Sequence, residues 1–130
     1  MERCPLTAKA QLSEHHEQAA VIRWANLHTA TYPELALLFA IPNMGKRHIS
    51  FARKLKAEGL KAGVPDLFLP VANYDYHGLF IEMKRAGGRT SPEQKMWIAE
   101  LTAQNYRAEV CVGAENALIV IRDYLGIRQK

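Results

Sequence analysis

A chain of 130 residues, 48% hydrophobic and 23% charged, without a repeat or low-complexity tract, has the size and composition of one folded domain and excludes fibrous and disordered classes. No apolar run approaches the roughly 20 residues that cross a bilayer. The segment MERCPLTAKAQLSEHHEQ lacks an apolar signal core, so an intracellular protein is expected. Two cysteines, Cys4 and Cys111, make neither a disulfide framework nor a zinc quartet.

In chain order, residues 1–12 read as a loose tail and 13–130 as a single domain. Ser13 caps a predicted helix to about Thr29, with Glu17, Ala20, Val21, Trp24, Leu27 and His28 at helical spacing toward the core. "LALLFAIP", continuously apolar and closed by Pro42, predicts a buried strand from Leu35. A helix follows from about Arg47 to Glu58, with Gly59 at its C-cap. "KAGVPDLFLP" turns into a strand from Asp66 to about Val71, and "GLFIEMK" forms the next. Ser91, Pro92 and Gln94 open another helix with a capping box. Trp97 and Leu101 on that helix are expected in the core. "AEVCVG" is a short strand, and Ala114 to about Leu125 the last helix. This order predicts an α/β fold: a sheet layered with helices and a hairpin-like pair in the middle.

Charge is uneven. The net balance is +4, and Lys46, Arg47, Arg53, Lys54, Lys56 and Lys61 crowd one segment opposed only by Glu58. Such a patch suits a phosphate backbone, or is simply a solvated helix face.

The "GLFIEMK" strand carries the chemistry. Strand side chains alternate, so Phe80, Glu82 and Lys84 share one face, and Leu79, Ile81 and Met83 the other. Glu93-Gln94-Lys95 is also Glu-x-Lys, but at a helix start residues two apart diverge by about 200° and cannot converge. Antiparallel pairing of the two central strands brings Asp66 beside Glu82 and Lys84 at one rim. Two carboxylates there, with the Met83 carbonyl, offer hard oxygen ligands of the kind Mg²⁺ (or Mn²⁺) accepts. Lys84 adds an ammonium that can polarise a water or stabilise negative charge on a phosphate.

Pro65-Asp66 followed by Glu82-Met83-Lys84 resembles the PD-(D/E)xK nuclease signature. Four features together resemble the VRR-NUC family (virus-type replication-repair nucleases). These are a glutamate on the first helix, Gly-Val-Pro-Asp, an apolar strand ending Glu-Met-Lys, and Ser-Pro-Glu-Gln-Lys-x-Trp after a glycine loop. The resemblance implies a restriction-endonuclease-like core and metal-dependent phosphodiester hydrolysis of DNA in replication or repair, by a standalone phage or bacterial protein. It also implies kinship with Holliday-junction resolvases that act as homodimers on branched DNA. By that resemblance Asp66 and Glu82, with the Met83 carbonyl, hold the metal, Glu17 supports it, Lys84 is the catalytic lysine, and Gln94 contacts the site or the DNA. The capping box alone also explains Gln94. The alternative is a DNA-binding module that keeps the fold without turnover. His15 and His16 diverge by about 100° on their helix and make no metal pair.

Overall fold

The computed structural model describes residues 13–43 and 49–127. The expected tail, Lys46 and Arg47 lie outside them. Four strands form a mixed sheet in the order β1-β2-β3-β4: β1 (Phe39–Ala40), β2 (Leu67–Leu69), β3 (Leu79–Lys84) and β4 (Arg107–Val112). Four helices flank it: α1 (Glu14–Leu27), α2 (Ile49–Ala57), α3 (Pro92–Ala103) and α4 (Gly113–Leu125). The α/β class and the element order agree with the sequence reading.

The strand β2 pairs antiparallel with β3, Leu67 opposite Ile81 and Leu69 opposite Leu79. The next pair, β3 and β4, is parallel, Met83 opposite Cys111 and Lys84 opposite Val112. Parallel neighbours need a long crossover, and α3 supplies it. The face carrying Leu79, Ile81 and Met83 is sealed by α1 and α4, through Val21, Ala25, Ala117, Ile121 and Tyr124. Removing each large apolar side chain of this layer from water contributes roughly 1.5–3 kcal/mol. Cys111 lies in the same layer, and burial pushes its thiol up to about 11, which makes it an inert core residue.

On the opposite face, Phe80 stacks on Phe68 at 4.2 Å between ring centroids, with Tyr106 and Phe39 packed edge-on around the pair. Alternation thus holds along β3: Phe80 marks the face on which Glu82 and Lys84 emerge.

Three expectations need correction. "LALLFAIP" is not a buried strand. Pro33 opens a 3₁₀ turn through Leu37, which buries Leu35, and only Phe39–Ala40 pair, at the exposed sheet edge. A run of apolar residues between prolines is compatible with a turn and an edge as well as with a core strand. Leu27 is 75% exposed, because it stands about 120° around α1 from the buried Val21. Trp97 and Leu101 are half-buried, since α3 has no fully buried residue. The Trp97 indole N–H instead donates to the Ala62 carbonyl at 3.1 Å, tying α3 to the turn that leads into β2.

Candidate active site

Asp66 precedes β2 and is held at both ends. Its carbonyl accepts the Ile41 N–H at 2.7 Å, and its Oδ2 accepts the Met83 N–H at 2.8 Å. The second bond exists because the β2–β3 ladder stops at Leu67 opposite Ile81. Beyond it the Met83 amide has no strand partner, and the Asp66 side chain takes that place. In a strand the N–H and C=O of one residue leave on the same side, so the Met83 carbonyl also leaves toward Asp66.

Glu82 emerges from the middle of the sheet, 2% exposed. Its Oε2 accepts the Gln94 Nε2–H at 2.8 Å and lies 3.4 Å from Lys84 Nζ. Its Oε1 is buried without a hydrogen-bond partner among the described residues. The Asp66 carboxyl lies near enough for each acid to bear on the other's ionisation. Burial, and then the charge of Asp66, push the Glu82 carboxyl up to about 8 against the pull of Lys84. Burial also raises Asp66, opposed by the Met83 N–H and Glu82. Burial and the neighbouring Asp66 charge thus both favour the protonated form of Glu82.

The remaining predicted residues fall into place unequally. Gln94 does both things its position allows. Its N–H and Oε1 complete the capping box with Ser91, at 3.1 and 2.9 Å, and its amide NH₂ reaches Glu82. Since Oε1 is fixed by the cap, the NH₂ is the end presented to the carboxylate. Glu17 is engaged at the start of α4, just beyond the Val112 that faces Lys84: its Oε1 accepts the Ala114 N–H at 2.8 Å. The cause is local. Val112, at the N-cap of α4, has no side-chain acceptor, so the first amides of that helix need one from another element. The first-helix acid whose charge bears on Asp66 is Glu14, one turn earlier, which the sequence reading passed over. Glu14 and Glu17 both sit in the first turn of α1, and only the direction of entry into the sheet rim separates them. Arg53, Lys54 and Lys56 are exposed on α2, and Lys61 in the turn beyond it.

These donors fit a divalent cation. A buried carboxylate oxygen left without a partner is expensive, and two acids forced into contact repel unless a proton or a cation lies between them. No group of three or more Asp, Glu, His or Cys gathers among the described residues. The set is thus two carboxylates plus main-chain oxygen. That suits Mg²⁺, which keeps several waters and takes one or two carboxylates, better than zinc.

Residues 7–115 match the VRR-NUC domain. A solved VRR-NUC domain protein shares 29% identity and superposes with a TM-score of 0.73, over 92% of this chain and 93% of its own. No curated protein matches. The match to the VRR-NUC domain spans most of the chain, and the protein belongs to the VRR-NUC nuclease family.

Proposed function

We propose that the protein is a divalent-metal-dependent DNA endonuclease acting on branched DNA, in the manner of a Holliday-junction resolvase serving DNA repair. The observation that carries this reading is the buried Glu82 Oε1, without a hydrogen-bond partner among the described residues, in a carboxyl whose pKa burial and then the Asp66 charge raise, with an ammonium 3.4 Å from its Oε2. In the sole role of a fold-supporting ion pair, Glu82 would have both oxygens satisfied.

Asp66, Glu82 and the Met83 carbonyl would hold Mg²⁺ or Mn²⁺. When bound, such an ion supplies a water of lowered pKa and neutralises charge on the phosphate. Gln94 keeps Oε2 of Glu82 fixed, which leaves Oε1 as the free donor. Asp66 is prevented from turning away by the Met83 N–H. Lys84, anchored beside Glu82, presents its remaining N–H groups where negative charge builds on the phosphate oxygens. The exposed cations of α2 and Lys61 are proposed to hold the flanking backbone.

One site per chain cuts both strands of a junction only if two chains act together, so a homodimer is part of the proposal. The exposed Tyr74 and the β4 edge, where Val110 and Val112 are 39% and 45% exposed, are its candidate surfaces. Incubating labelled four-way junction, flap, single-stranded and duplex DNA with and without Mg²⁺ tests the reading. Metal-dependent cutting of the junction, lost in Lys84→Ala, supports it. Retarded but uncut junction would favour the non-catalytic binding module, and light scattering of a monomer at micromolar concentration would remove the dimer.

A further inference from the structure

A cleft of about 710 Å³ has Asp66 of the candidate metal site in its wall, with Glu14 beside it, and runs along one face of α1. It is far larger than a hydrated cation requires and lies within the range of pockets that take a small organic ligand. Two rows at four-residue spacing line it. Gln18, Ile22 and Asn26 form one, and Ala19, Arg23 and Leu27 the other. Each row spans about 12 Å of helix.

These rows differ from the face of α1 that meets the core, where Val21 and Ala25 are buried. They also differ from an ordinary solvated face. Carboxamides alternate with aliphatic side chains, and Leu27 stands out at 75% exposure beside the Arg23 guanidinium. Carboxamides hydrogen-bond the edges of bases, aliphatic carbon covers their faces, and a guanidinium meets a phosphate or lies flat on a ring. In duplex DNA those edges are already paired and the faces already stacked. The end of the cleft with Glu14 and Asp66 is acidic, and the two rows beyond it, with Arg23 as their cation, have the chemistry that receives an unpaired base.

We infer that this cleft is a base-binding subsite: it receives the unpaired nucleotide next to the phosphate that meets the cation Asp66 and Glu82 would hold. The inference rests on the nuclease reading of that site. It deepens that reading, because a branched substrate is then recognised by the bases that branching frees as well as by its shape. The cleft contributes to binding independently of catalysis, through α1 residues that are not part of the Asp66, Glu82 and Lys84 cluster.

The test uses full-length protein and the double variant Gln18→Ala/Asn26→Ala, with Leu27→Asp as a second, separate probe on a solvent-exposed position. Affinity for a labelled single-stranded oligonucleotide and for a duplex of the same sequence is measured by fluorescence anisotropy without metal, and junction cleavage in Mg²⁺. Each variant is expected to bind the single strand about tenfold or more weakly while holding the duplex as wild type does. Cleavage of a junction with unpaired bases at its crossover should fall in parallel. Unchanged single-strand affinity in both variants, or equal loss for single strand and duplex, would overturn the subsite. If the variants lose single-strand affinity while wild type cuts nothing, the subsite stands and the nuclease reading falls.

Discussion

The parallel β3–β4 pair carries a charged cluster at each end, and the two are built differently. At the end where Leu79 faces Arg107, the guanidinium donates to Glu109 Oε2 at 2.9 Å and to Asp123 Oδ2 at 2.8 Å, and all three side chains keep contact with water. At the end where Lys84 faces Val112, two acids meet one ammonium, Glu82 is sealed from water, and one of its oxygens has no partner. Both clusters set two acids against one cation. In the first each acid is bonded by a forked donor in high dielectric, whereas in the second the acids meet in low dielectric and one carboxylate oxygen has no partner among the described residues. An acid pair that raises its own pKa is a cost to the fold, and the proposed cation site would give that cost a use.

The largest expected effect separates the two ends by activity. Glu82→Gln or Lys84→Ala should reduce junction cleavage by about a hundredfold or more. Arg107→Gln, at the other end of the same strands, should leave the rate within about twofold. Single-turnover cleavage with protein in excess checks both, with circular dichroism to confirm that each variant folds.

Next is a pH effect confined to the buried end. The Glu82 carboxyl titrates near 8 in the fold against an ordinary 4.5, so the folded state retains a proton through that window. Its contribution to stability is therefore fully present below about 4.5 and lost as pH rises through about 8. In EDTA the Tm of wild type should fall relative to that of Glu82→Gln across this range. Mg²⁺ should close the gap for wild type alone, since it favours the ionised carboxylates.

Gln94 sharpens the contrast within the site. Gln94→Glu keeps a side-chain acceptor for the Ser91 N–H but sets a carboxylate against Glu82 Oε2, now 2.8 Å from an amide N–H. It should lower cleavage about tenfold with little change in Tm, whereas Gln94→Ala, which loses half of the capping box, should also cost about 1 kcal/mol of stability. Urea melts and cleavage rates together separate the two. The smallest effect belongs to the exposed cluster: Arg107→Gln should cost no more than about 1 kcal/mol, and less in high salt.

What the sequence disclosed follows the reach of each signal. Asp66, Glu82 and Lys84 were legible because strand alternation and antiparallel register are geometric rules that need only the element boundaries. Gln94 and the start of α3 were legible because a capping box is local, three residues long. The edge position of Phe39–Ala40 was not, since a run of apolar residues does not say whether a second strand covers it. Glu14 and Glu17 were not separable either. Which of them bears on Asp66 and which caps α4 depends on how α1 lies across the sheet, and on α4 lacking an acceptor at Val112. Both are long-range facts. The cleft beside Asp66 was missed for the same reason, although its two rows at four-residue spacing are visible once α1 is known to turn only one stripe inward.

The most direct measurement is a titration of metal-free protein with Mn²⁺, followed by electron paramagnetic resonance of the free ion, for wild type and Glu82→Gln side by side. The account predicts saturable uptake by wild type, tightening as pH rises through 8, and its loss in the variant. Equal uptake by the two proteins, or none by wild type at millimolar Mn²⁺ in the presence of uncleavable DNA, would contradict it.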